Sequence, residues 1–176
     1  MADLERLQRR SQVGHLLDGR GRGGTVALLR YRHHMPSNLV LKTMNNVHRT
    51  ILKVSGGKIG WTAGKMPVLE LTTTGRKSGQ QRATMLTSPL QEGDTLVIVA
   101  SRGGDDHHPA WYLNLTDNPE VTVKWKGGAP QTMTASVATD DERDRMWPII
   151  AEGYKNYAGY QNKTERQIPL VLLNPA

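Results

Sequence analysis

The chain has 176 residues, within the usual span of one globular domain, and its 37% apolar content is too high for wholesale disorder. It contains no cysteine, which excludes disulfides, thiol nucleophiles, iron–sulfur clusters and thiolate zinc sites together. No apolar run approaches the roughly 20 residues of a membrane-spanning helix, and a net charge of +7 points to an anionic partner instead.

That charge is unevenly spread. Residues 1–34 hold seven Lys or Arg against three Asp or Glu, residues 35–82 hold eight against one, and residues 83–176 hold eight against twelve. The middle segment should therefore attract an anion, whether nucleic acid, an acidic lipid surface or a phosphorylated small molecule. Nucleic acid is disfavoured, because there is no Phe to stack on bases and the five Tyr lie mostly outside the basic segment. Arg6, Arg9 and Arg10 lead into polar sequence without the apolar run of a signal peptide, so a cytoplasmic location is expected.

In chain order, residues 1–34 show neither helical nor strand period, and the Gly-Arg-Gly-Arg-Gly-Gly run at 19–24 is flexible and basic. They are a basic flexible tail or lie upstream of a start at Met35; the folded domain is expected over 35–176. Ser37 is a plausible N-cap for a helix over 37–54, whose Val40, Met44, Val47, Ile51 and Val54 form one stripe. That helix packs on a core, or lies on the inner face of the cell membrane with its cations outward, as a peripheral contact. Turn signals follow at 55–60, then strands at 68–74 and 83–90, with a hairpin turn at 92–94 into a strand at 95–101. A short helix is expected at 109–115, and strands at 121–126 and 131–138 joined at Gly127 and Gly128. Thr139 and Glu142 have capping-box spacing for a helix that Pro148 should kink or shorten and Gly153 could end. A last strand covers 169–173. About six antiparallel strands with flanking helices give a mainly β (α+β) fold, a small barrel with appended helices; no βαβ alternation is present.

Five groups of residues are candidates for chemistry. Arg76, Lys77, Ser78 and Arg82 surround a turn between two strands, where cations, a hydroxyl and turn amides suit a phosphate; solvated basic turns look the same. Ala100, Ser101, Arg102 and Gly103 end an apolar strand, where glycine lets a planar ligand approach, or where an ordinary turn sits. Asp105, Asp106, His107 and His108 are contiguous, which is poor spacing for one metal ion; no metal site is expected, and Asp106 should cap the following helix. Trp111, Tyr112 and Asn114 share that helix. Tyr154, Tyr157 and Tyr160 recur every three residues, lining one wall of a flat apolar site or flanking a core. No Ser-His-Asp set can be assembled, so an enzyme built from these parts needs a cofactor for the hard chemistry.

Thr72 to Gln80, Val99 to Gly104 and His108 to Leu115, in that order and spacing, resemble the deazaflavin-dependent nitroreductase/quinone reductase family of actinobacteria. Tyr154, Tyr157, Tyr160 and Gln161, followed by Ile168 and Pro169, match as well, and the resemblance runs over residues 38–175. It implies a flavin-reductase-like split β-barrel that transfers a hydride from reduced coenzyme F-420 to a quinone, nitroaromatic or enone-type acceptor. It also implies that Arg76, Lys77, Ser78 and Arg82 bind the cofactor's phosphate and acidic tail. Ala100, Ser101, Arg102, Gly103, Trp111, Tyr112, Asn114 and Tyr157 would then hold the deazaflavin and its linker. Ser101, Tyr154, Tyr157 and Tyr160 would act on the acceptor. The family often has Lys where Arg102 stands, and its nitroreductase branch has Tyr where Thr87 stands. Two other classes remain open: a barrel protein binding FMN, and a noncatalytic basic-surface binder of anionic membrane or nucleic acid.

Overall fold

Residues 61–63 and 65–176 are described in the computed structural model of the chain; the basic segment 1–34, the helix expected over 37–54 and the turn signals at 55–60 lie outside them. Eight strands and three helices follow in the order β1 (Thr62–Ala63), β2 (Met66–Thr74), β3 (Gln81–Thr87), β4 (Leu90–Glu92), β5 (Thr95–Val99), α1 (Ala110–Asp117), β6 (Glu120–Trp125), β7 (Gln131–Val137), α2 (Asp140–Gly153), α3 (Lys155–Gln161) and β8 (Leu170–Pro175). Every pairing is antiparallel, in one sheet of order β1-β2-β6-β7-β8-β5-β4 with β3 on β2. The sheet curls into the split barrel expected from the sequence.

The side-chain pattern of each strand explains where it sits. Along β6 and β7, buried Val121, Val123, Met133 and Ala135 alternate with exposed Glu120, Thr122, Thr132 and Thr134, so one face meets the core and the other water. β5 does not alternate. Leu96 and Ile98 enter the barrel interior beside Leu69, Leu71, Trp111 and Leu173, while Val97 and Val99 enter a second apolar layer with Met146, Ile150, Tyr157, Ile168 and Leu170. The helices α2 and α3 supply that second layer, which is why the 96–99 run is apolar on both faces.

Three local details depart from the sequence reading. The expected strand 83–90 divides at Ser88, whose amide donates to the Pro67 carbonyl (3.0 Å) and whose hydroxyl shares its one proton between the carbonyls of Val97 (2.9 Å) and Leu90 (3.0 Å). Buried there, and followed by a proline without an N–H, Ser88 moves the chain from β2's edge to β5's edge. Second, α2 is not shortened: it runs through Pro148 to Gly153, started by a complete capping box between Thr139 and Glu142. Third, the sheet gains two short strands, β1 and β4, beyond the six expected. No helix among the described residues is long and apolar enough to cross a membrane.

Candidate active site

The basic turn between β2 and β3 closes on itself. Gly75 donates its amide to the Gln80 carbonyl (2.8 Å), and its own carbonyl accepts from the amides of Ser78 (3.0 Å) and Gly79 (2.7 Å). A Cβ on Gly75 would stand 2.9 Å from Ser78 Oγ and 3.1 Å from the Gln80 carbonyl, so a side chain there would force the turn to shift. The Arg76 amide donates to Asn114 Oδ1 (3.2 Å), and Asn114 Nδ2 donates to Thr73 Oγ1 (3.1 Å), tying the turn to α1 through a buried amide. The amides of Gly75, Arg76, Ser78, Gly79 and Gln80 thus serve the turn and its tether. The side chains of Arg76, Lys77, Ser78 and Arg82 are exposed, and Arg82 also donates to Gln80 Oε1 (3.0 Å).

The loop after β5 is built differently. Arg102, Gly103 and Gly104 occupy three successive left-handed conformations (φ 48°, 74° and 89°), a strained choice for the arginine. A Cβ on Gly104 would lie 2.6 Å from the Tyr160 carbonyl and 3.0 Å from Lys163 Cβ, so the loop presses directly on the end of α3. Arg166 holds it from below. Its Nη2 donates to the carbonyls of Ala100 (3.1 Å) and Ser101 (3.0 Å), its Nε to the Asp105 carbonyl (2.7 Å), and its Nη1 to His108 Nδ1 (3.4 Å). A guanidinium can only donate, so His108 accepts in its neutral form. Burial, with the Arg166 charge second, holds His108 below the ordinary imidazole pKa, in agreement.

Arg166 is itself fixed by neighbours that the motifs did include. Gln161 Nε2 donates to the Arg166 carbonyl (2.9 Å), while Gln161 Oε1 accepts from the Ile168 amide (3.0 Å) and Arg143 Nη2 (3.2 Å). Arg102 Nε pairs with Asp105 Oδ2 at 3.6 Å. The expected cap by Asp106 is corrected: Pro109 is the N-cap of α1 with no side-chain cap bond, and Asp106 accepts from Thr164 Oγ1 (2.8 Å) instead. Ala100 is fully buried, and both its backbone groups are engaged, the amide by Pro169 (2.9 Å) and the carbonyl by Arg166.

The aromatic residues form two sets. His108 stacks on Tyr112 (centroids 4.7 Å apart), and Tyr112 meets Trp111 edge-on at 6.3 Å, with Trp111 buried in the barrel interior. Burial raises the Tyr112 phenol above its ordinary pKa. Tyr154, Tyr157 and Tyr160 form an edge-to-face ladder, with centroids 6.5 and 6.0 Å apart. Tyr157 is the buried rung, and its hydroxyl lies 2.9 Å from Thr87 Oγ1 at the end of β3. Tyr154 and Tyr160 are half-buried flanks, so the wall and core-flank readings of this series describe different rungs.

The structure thus brings Arg76 to Asn114, the 101–104 loop to Tyr160, and Tyr157 to the strand that begins beside the basic turn. Arg166 escaped the sequence reading; its proximity to Ile168 and Pro169 was the available signal. Among the described residues, no group of three or more His, Asp or Glu is placed to hold a metal ion.

The profile of the F420-H2-dependent quinone reductase family matches residues 44–175, three quarters of the chain. This chain belongs to that family. An F420-H2-dependent quinone reductase of Mycobacterium tuberculosis (strain H37Rv) is 40% identical over 131 residues, covering 72% of this chain and 87% of that protein. A solved F420-H2-dependent reductase (FDR-A) is 38% identical with a TM-score of 0.54, covering 61% of this chain and 94% of its own. A second solved chain, described as a domain-swapped dimer, is 34% identical with a TM-score of 0.56, covering 73% and 96%. As an F420-H2-dependent quinone reductase, this protein is an oxidoreductase that depends on reduced coenzyme F-420 and serves a quinone-type acceptor.

Proposed function

We propose that this quinone reductase binds reduced coenzyme F-420 along a track from the basic turn to the tyrosine ladder, and reduces a quinone, nitroaromatic or enone beside Tyr154, Tyr157 and Tyr160. The observation that carries this is β3. Arg82 stands near one end and Thr87, bonded to Tyr157, at the other; five residue steps at about 3.3 Å each separate them by about 17 Å. An elongated ligand with its negative charge at one end and its ring at the other suits that separation.

The donor set fits the cofactor. Arg76, Lys77, Ser78 and Arg82 offer exposed cations and a hydroxyl to a phosphate and an acidic tail. Asn114 would act by fixing the Arg76 amide, and Ala100 by packing, since its backbone is already bonded. Ser101, Arg102 and Gly103, with Trp111 and Tyr112, would flank the ring and linker. When bound, the reduced deazaflavin supplies a hydride. The chain's residues then orient the acceptor, exclude water and stabilise negative charge on its oxygen. Burial holds the Tyr157 phenol above its ordinary pKa, with the Thr87 bond opposing, so the hydroxyl keeps its proton at neutral pH and can donate. Ser101 or a tyrosine hydroxyl would polarise the acceptor.

Fluorescence titration with reduced coenzyme F-420, with FMN and NADPH in parallel, tests this reading. Tight binding weakened by Arg76→Ala or Lys77→Ala is the expected result. A preference for FMN, or binding indifferent to both substitutions, would overturn the proposed track.

A further inference from the structure

The hydrogen bond between Thr87 and Tyr157 joins a strand to a helix 70 residues away in sequence. Two hydroxyls carry two protons, and the bond between them uses one. Which proton is used matters chemically. A phenol is the better donor and an alcohol the better internal prop, so the arrangement with most to offer a third oxygen has Thr87 donating and Tyr157 free to donate outward. Tyr157 has little room to turn away: its ring packs edge-to-face with those of Tyr154 and Tyr160, and the residue is 5% exposed. The backbone of Thr87 is fixed as well, as the last residue of β3 in register with Val68 of β2.

We infer that Thr87 is a positioning residue for the reduction: its hydroxyl donates to Tyr157 Oη, aiming the phenolic proton at the acceptor oxygen and stabilising the partial phenolate that develops as that oxygen gains charge. Thr87 keeps its own proton in this role; its hydrogen bond strengthens as the Tyr157 proton moves toward the acceptor oxygen. The acceptor class it serves is one with a carbonyl or nitro oxygen at the reacting end, because such an oxygen accepts one strong donor as it is reduced. The inference rests on the placement of Tyr157 beside the acceptor, and the test separates the two.

Thr87→Val removes the hydroxyl and keeps the branched shape that suits a strand, whereas Thr87→Ser keeps the hydroxyl. Menadione is the acceptor, reduced coenzyme F-420 the donor, and Tyr157→Phe the parallel variant. Thr87→Val is expected to lower kcat about fivefold, the factor for one lost hydrogen bond, with the dissociation constant for the coenzyme unchanged and Thr87→Ser restoring turnover. Independently of activity, a high-pH absorbance titration should show one tyrosine step moving upward in Thr87→Val, the step that Tyr157→Phe removes. Wild-type turnover in Thr87→Val, with loss in Tyr157→Phe, overturns the role of Thr87 alone. Wild-type turnover in both overturns the placement of Tyr157 as well. Lower turnover accompanied by weaker coenzyme binding, or without any tyrosine step moving, reduces Thr87 to wall packing and also overturns the inference.

Discussion

The turn after β2 and the loop after β5 both join strand ends through glycines and cations, yet they are secured on opposite terms. In the turn, hydrogen bonds stay within residues 75–82 apart from one tether to Asn114, and its cationic side chains stand in solvent. In the loop, the backbone is left-handed at three successive residues, pressed on Tyr160, and held by four donors of one guanidinium. Solvated cations attract a charged tail from a distance and tolerate its motion, whereas a flat ring that must present one atom to an acceptor needs a rigid support. Changes in the loop should therefore cost stability and binding together, and changes in the turn should cost binding alone.

The largest effect is expected at Gly104. Replacement by alanine combines a left-handed backbone with a contact of 2.6 Å to the Tyr160 carbonyl. About 3 kcal/mol should be lost, or roughly 6–12 °C in Tm by thermal unfolding. Arg166→Met should follow, leaving the Ala100, Ser101 and Asp105 carbonyls without their donor, at about 2–3 kcal/mol. It should also weaken coenzyme binding by tenfold or more; unchanged affinity would break the comparison, because the loop would then be scaffold only. Asn114→Leu should cost about 1–2 kcal/mol by stranding the Arg76 amide, and urea unfolding reads it directly.

A pH effect sharpens the same contrast. Because burial lowers the His108 pKa in the folded state, its stabilising contribution is complete above the ordinary imidazole value of about 6.5 and is lost as pH falls through the lowered value. Acidification from pH 7 toward 5 should therefore lower the wild-type Tm more than that of His108→Phe. Asp105, held below its ordinary value chiefly by the His107 amide, adds its loss only at more acidic pH, below about 4. The smallest change in stability is expected for the double variant Arg76→Ala with Lys77→Ala, within about 0.5 kcal/mol, since both side chains are exposed. Its coenzyme affinity should fall about tenfold at low salt, and the difference should shrink as ionic strength rises.

What the sequence by itself determined is everything carried by neighbours along the chain. The closed turn at Gly75, the hairpins at Gly93 and Gly127, the capping box at Thr139 and the alternation in β6 and β7 all depend on residues a few positions apart. The family was legible for the same reason, since its motifs are short and ordered. Tertiary structure decided the rest. Ser88 breaks a strand only because the carbonyls of Pro67 and Val97 are brought to it, and Asp106 leaves the helix start because Thr164 offers a hydroxyl. Equal spacing made three tyrosines look equivalent, but burial beside Thr87 singles out Tyr157. Arg166 shows no motif of its own; it matters because the fold collects four acceptors from residues 100–108 around one charge. Hydrogen-bond partners distant in sequence leave no periodicity to read, and a buried polar group is satisfied only by what the finished fold places beside it.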